Sequence, residues 1–354
     1  MSAQTLDAPR APVDPVVRVA RGRRRRAVRR LLVMVVLAVL VAGVYATSLM
    51  IGNTFYGPGE VLDVIRGEVV PGASFTVGEL RLPRASLAVL TGAAFGLGGV
   101  TFQTMLRNPL AAPDIIGISS GASAAAVIAI VVYSLDGAAV SALAIAAALG
   151  TALVIYLLAF RDGVVGTRLI LIGIGVAAML ESVVSYVLLQ GAVWDVQTAM
   201  RWLTGSLNNA SWDQARPLAL AMLVACPVLL AQARNLNLLQ QGDDSASALG
   251  VRVERTRLVA IVAAVALIAF ATAAAGPIAF VAFLSGPIAA RIIGSGGSLM
   301  VPAALVGALL VSSADLLGQF AFENRYPVGV ITGALGAPYL IYLLVRSNRS
   351  GGSL

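Results

Sequence analysis

Two carboxylates, Glu181 and Asp315, lie deep inside apolar runs, and two arginines, Arg81 and Arg84, stand at the edge of another in GELRLPRASLAVL. These side chains are the ones best placed to do chemistry, and the chemistry open to them is narrow. The chain has no histidine, one cysteine (Cys226) and no lysine, so all 25 basic residues are arginine. That composition argues against a His/Cys metal centre, a disulfide framework and most acid–base machinery. No cofactor and no enzymatic activity are expected. An ionisable group inside a membrane is costly unless it faces a partner group, a second subunit or an aqueous path. Glu181 is read as facing the path, with the second subunit or a partner group as the alternatives, and Asp315 as structural.

The elements that must position these groups are membrane helices. The chain is 58% apolar and 12% charged over 354 residues, with a mean hydropathy of +0.89, more apolar surface than a soluble domain can hide. Ten apolar stretches are expected to span: 31–51, 85–106, 115–135, 138–160, 169–189, 215–231, 258–275, 278–293, 299–317 and 328–345. The sixth and eighth are shorter than the ~20 residues of a straight crossing. The expected fold is an all-α polytopic membrane protein with one transmembrane domain over 28–354, preceded by a disordered basic tail over 1–27. The net charge of +8 does not point to nucleic acid, because nine arginines lie in the first 30 residues, directly before the first apolar run. Such a cluster reads as an anchor on the cytoplasmic side, touching anionic lipid. A run of 21 apolar residues, 31–51, exceeds a signal-peptide core and is expected to remain as a helix.

Sidedness follows by parity. With the arginine-rich tail in the cytoplasm, six arginines fall outside (Arg66, Arg81, Arg84, Arg201, Arg216 and Arg325), leaving nineteen of the 25 inside. Without the tail the split is still ten to six in the expected direction, and ten crossings return the C-terminus to the cytoplasm. Arg81 and Arg84 are then on the disfavoured side, and at a helix N-terminus that repels cations. Either they reach lipid phosphates while Pro83 sets the first turn, or they dock an acidic partner.

Three stretches interrupt the apolar pattern. In RNPLAAPDIIGISSGAS, Pro109 and Pro113 stop the second span, Asp114 can cap the third, and Gly117, Ser119, Ser120, Gly121 and Ser123 offer a small-residue packing face. LNLLQQGDDSASALGVRVERTR is polar, with helix-like pieces on either side of Gly242 and Asp243 or Asp244 placed to cap the second; its apolar residues suit a soluble partner. AGPIAFVAFLSGPIAARIIG carries Gly276-Pro277 and Gly286-Pro287, which imply broken helices of the kind that line transport paths.

In order, RLPR, NPLAAPDIIGISSGA, WLTGSL, LLQQGDDSASALGV, GPIAFVAFLSGPIAAR, ADLLGQ and YPVGVITGALGAPYLIYLL resemble the permease subunit of iron-siderophore and cobalamin type ABC importers, over residues 55 to 346. The resemblance implies a ten-helix subunit in a bacterial plasma membrane. Its implied partners are a second permease (a copy or a related chain), a cytoplasmic ATPase dimer and an extracytoplasmic substrate-binding protein. It assigns Arg81 and Arg84 to docking of glutamates on that binding protein. A third docking arginine of some members falls at Gln319, with Arg325 in the same loop as its replacement. Coupling helices map onto 236–250, implicating Leu239, Gly242, Asp243, Ala246, Leu249 and Gly250. Gly286 and Pro287, where many members carry Pro-His, are read as part of the translocation path together with Glu181, a residue that matches no family role; the resemblance puts the walls of that path on the fifth and tenth spans.

The chain lacks a G-x-x-x-x-G-K-[ST] loop, so ATP must be hydrolysed on a separate chain. The function read from the sequence is a permease importing ferric siderophores by alternating access. Cobalamin or haem is the alternative cargo. An ion-coupled secondary transporter is the alternative class; it also fits broken helices but leaves the 236–250 stretch without a reason.

Overall fold

The computed structural model describes residues 15–111, 117–160, 166–294 and 297–349. In chain order its helices are α1 (Pro15–Met50), α2 (Pro58–Ile65), a π-helical segment (Ser74–Arg81), α3 (Leu82–Met105), α4 (Ile118–Val131), α5 (Gly137–Ala159) and α6 (Gly166–Gln190). There follow α7 (Val193–Leu203), α8 (Trp212–Leu239), α9 (Asp243–Ala248), α10 (Val253–Ala275), α11 (Val281–Ile293), α12 (Met300–Phe320) and α13 (Val328–Arg349). Each of the ten apolar stretches falls on a helix. Among the described residues, seven helices are long and apolar enough to cross a membrane, and the apolar segments Ile118–Val131, Val281–Ile293 and Val328–Leu343 are shorter.

Two expectations need correction. The basic segment is not disordered throughout: α1 starts at Pro15, so residues 15–27 continue the first span as helix. Arginine is a good helix former, and a helix already nucleated in the apolar run propagates cheaply. Arg30 also reaches the Ser298 carbonyl, holding this end against the α11–α12 connection. The 52–84 connection holds α2 and the π-helical segment; the Gly57 N–H bonds Glu60 Oε2 at 2.7 Å and starts α2. The sixth span is not short, because α8 runs 28 residues through Arg234 and past its own apolar core. Pro113 and Asp114 lie outside the described residues.

The fold is organised around α3, where 18 of 24 residues are buried, so this helix is surrounded rather than amphipathic. α12, α10, α11 and α8 pack against it. Backbones meet where α3 crosses α12: a Cβ on Gly92 would strike the Gly307 carbonyl, and one on Gly307 would strike the Gly92 carbonyl. Close approach of this kind lets dispersion hold two helices where lipid removes the hydrophobic driving force. By contrast α5 and α8 expose Leu153, Leu157, Leu158, Leu223 and Val224, faces suited to lipid or to another subunit.

Candidate functional site

Chemistry-bearing residues collect at three levels of the bundle. The first is the end of α3 that carries the arginine pair. Arg84 makes a two-point ion pair with Asp315 on α12, Nε to Oδ2 at 2.9 Å and Nη2 to Oδ1 at 2.8 Å, and Nη2 also reaches Asn208 Oδ1 at 3.1 Å. The Gln319 amide donates to Asp315 Oδ2 at 2.7 Å, so the residue at the third docking position joins the same cluster. Arg81 donates to the carbonyls of Leu49, Met50 and Thr54 at 2.9, 2.9 and 2.7 Å and lies over the Tyr56 ring. It thereby satisfies orphan carbonyls at the end of α1, a cation at a helix C-terminus where the dipole favours one. Arg325 is exposed, with Nη2 3.1 Å from Asn53 Oδ1. Of the three arginines assigned to docking, two are thus engaged inside the chain and one faces outward.

The second level is a cavity of about 820 Å³. One wall is polar: Ser119, Ser120 and Ser123 from α4, with Glu181 and Ser185 from α6. The other is apolar, built from Pro277, Ile278 and Phe280 in the α10–α11 connection and from Phe283. The glycine–serine run does two jobs. Gly117, at φ +87, brings the start of α4 against α6 near Gly173 and Ala177, and Gly121 packs against Thr151 of α5, leaving three serines on the cavity side. Phe280 holds a left-handed backbone at φ 64, which is strained for an aromatic residue.

Gly286 and Pro287 are not among the residues lining this cavity; both are buried between α11 and α3. Pro287 has no N–H for the carbonyl four residues earlier, that of Phe283. Gln103 of α3 supplies the missing donor, its Nε2 lying 2.9 Å from Phe283 O. Gly286 is the space this requires, because a Cβ there would collide with the Gln103 side-chain oxygen. The helix break is satisfied by a neighbouring helix, one of the ways a membrane bundle tolerates proline.

The third level is the opposite end of α3. Gly242 (φ 112) and Gly250 (φ 85) bracket α9 in backbone conformations that glycine tolerates best. Asp243 does not cap α9. Its carboxylate accepts from Arg257 at 2.9 and 2.8 Å and is also paired with Arg107, whose Nε donates to Leu239 O at 2.7 Å. Arg107 makes these contacts from a left-handed backbone at φ 53, just past the end of α3. Leu239 and Ala246 are fully buried in the chain's own core, so they do not present a face to a partner. Leu249 is 60% exposed, and Asp244, Ser245 and Ser247 are exposed with it. Sequence reasoning singled out Arg84 and Asp315 without pairing them, and Asp243 without its two arginine partners. Arg107 and Arg257 were visible as charges next to span ends, and pairing those ends would have found them.

The model of the FecCD transport family matches residues 33–346. The chain belongs to the FecCD transport family. Similar members include the ferric enterobactin transport system permease FepG of Escherichia coli strain K12, 41% identical over 88% of this chain and 94% of that protein. The achromobactin transport system permease CbrC of Dickeya dadantii strain 3937 is 38% identical over 88% and 90%. A solved structure, described as a metal-chelate type ABC transporter in an inward-facing conformation, superposes with a TM-score of 0.80 at 26% identity, covering 88% of this chain and 98% of that one. In this FecCD chain the three levels described above all lie within the matched residues.

Proposed function

We propose that this chain is the membrane permease of an ATP-driven bacterial importer of ferric siderophores. The observation that carries the reading is the family match over 33–346, together with relatives named for ferric enterobactin and achromobactin transport that align over nearly their whole length. In this reading ten helices cross the plasma membrane with both termini in the cytoplasm, consistent with the arginine bias. A second permease, the same chain or a related one, closes the path. Two ATPase subunits bind at the α9 end and a substrate-binding protein docks at the Arg81 end.

The mechanism is alternating access. ATP-driven closure of the ATPases pushes on the exposed side of α9 (Asp244, Ser247 and Leu249). Asp243 then carries the displacement through Arg107 to α3 and through Arg257 to α10, because two charge-assisted contacts join one short helix to two long ones. Those helices pack beside the cavity walls, so a small shift at α9 repacks the path. At the other end Arg325 is the exposed docking cation, and Arg81 and Arg84 add to the positive field while shaping the surface. Exposed ion pairs contribute ~0–1 kcal/mol each, so docking depends on several together and weakens with salt.

The test is radioiron uptake into proteoliposomes holding this chain, its ATPase and its binding protein. Uptake of a ferric siderophore that needs ATP, is blocked by vanadate and survives an uncoupler supports the proposal. Uptake that follows a proton or sodium gradient without ATP would replace it with a secondary transporter.

A further inference from the structure

Among the described residues lining the 820 Å³ cavity, Glu181 is the one ionisable side chain. It lies nine residues before the end of α6, about 14 Å into the helix by its rise, well within the apolar segment. No described cation pairs with it, although an unpaired acid at this depth is costly and is found mainly where it meets water or a ligand. One turn on, Ser185 faces the same space, its hydroxyl donating to the Glu181 carbonyl at 2.9 Å. Ser120 and Ser123 extend the polar strip along α4, and the strained Phe280 faces it from an apolar wall.

An exposed negative side chain among neutral hydroxyls, with no arginine among the described residues of the wall, attracts positive charge and repels negative charge. Ferric chelates differ in this respect. Doubly charged catecholates over-neutralise iron(III) and leave the complex anionic, whereas singly charged hydroxamates balance it, and an appended amine makes it cationic. We infer that Glu181 is a specificity-determining residue that selects neutral or cationic ferric chelates, of hydroxamate type, against anionic tris-catecholates. The inference rests on the importer reading and departs from a direct transfer of the catecholate cargo for which FepG is named.

The test uses the permease–ATPase complex in nanodiscs without binding protein, and compares equilibrium binding of ferrioxamine B (a cationic ferric trihydroxamate) with that of ferric enterobactin (an anionic tris-catecholate). Wild type should retain ferrioxamine B about tenfold better, and Glu181→Gln should bring the ratio near one while Glu181→Asp keeps the preference. Equal or better binding of ferric enterobactin by wild type, a ratio unchanged in Glu181→Gln, or binding of neither chelate overturns the inference. Radioiron uptake by the complete system is measured in parallel. ATP-dependent uptake with an unmoved ratio defeats this inference alone, and absence of ATP-dependent uptake defeats the importer reading.

Discussion

Arg84 on α3 and Asp315 on α12, 231 residues apart, form a two-point ion pair in which Asp315 is 5% exposed. The pair joins the two helices whose backbones meet at Gly92 and Gly307, so it closes one end of a crossing with no room for a side chain. Removing Arg84 leaves the buried Asp315 carboxylate without its ion pair, at a cost of roughly 3–5 kcal/mol, whereas replacing both with apolar residues is often neutral. Arg84→Ala and Asp315→Ala should each lower the melting temperature of the purified protein markedly. Arg84→Met with Asp315→Leu should recover most of the loss. If Arg84 also docks the binding protein, this stable double variant will still lose binding-protein-stimulated ATP hydrolysis. Full stimulation would restrict Arg84 to the clamp.

Arg81 ties the end of α1 to the start of α3 through three carbonyls. Hydrogen bonds to a charged group contribute about 1.5–3 kcal/mol, and here they are local. Arg81→Gln should therefore raise amide hydrogen exchange in residues 50–57 before it changes global stability. Unchanged exchange there would show that the carbonyls are satisfied without the guanidinium.

Gln103 is the donor that Pro287 makes necessary. Gln103→Leu keeps the volume but leaves the Phe283 carbonyl buried and unpaired, costing about 1–3 kcal/mol. The second variant, Gln103→Leu with Pro287→Ala, restores the helical N–H at 287 and should regain stability relative to Gln103→Leu alone. A thermal melt of the two variants side by side checks this; no recovery would mean that Gln103 acts by filling space.

Asp243 links α9 to both Arg107 and Arg257. Asp243→Asn keeps the shape but removes the charge that draws both arginines in. ATP hydrolysis by the assembled complex should persist, while uptake per ATP falls about tenfold, a loss equivalent to ~1.4 kcal/mol of coupling. Uptake and hydrolysis measured on the same proteoliposomes decide it, and an unchanged ratio would confine Asp243 to holding the loop.

Much of the fold was legible because hydrophobic runs are a local signal. All ten apolar stretches are helices, and the turn at Gly242 separates α8 from α9 at the expected place. The segments misjudged or passed over have local causes too. Arginine-rich sequence looks soluble and unstructured, yet it continues a helix already formed. Residues 58–65 and 74–81 are too short and mixed to stand out, and they are held by packing around Val61, Ala73 and Val77. Within the candidate site, the glycine–serine run read as packing proved to be packing on one side and cavity wall on the other, a division set by which helix lies opposite.

By itself, the sequence determined that the chain is a helical membrane protein of the FecCD transport family without its own ATPase motif, since run length, charge bias and motif order are carried along one dimension. The tertiary structure decided what the conspicuous residues touch. Arg84 meets Asp315, Arg107 and Arg257 share Asp243, Gln103 completes the helix broken by Pro287, and Glu181 faces open space. Pairing energy depends on distance and burial, and both are set by helix neighbours far apart in the chain.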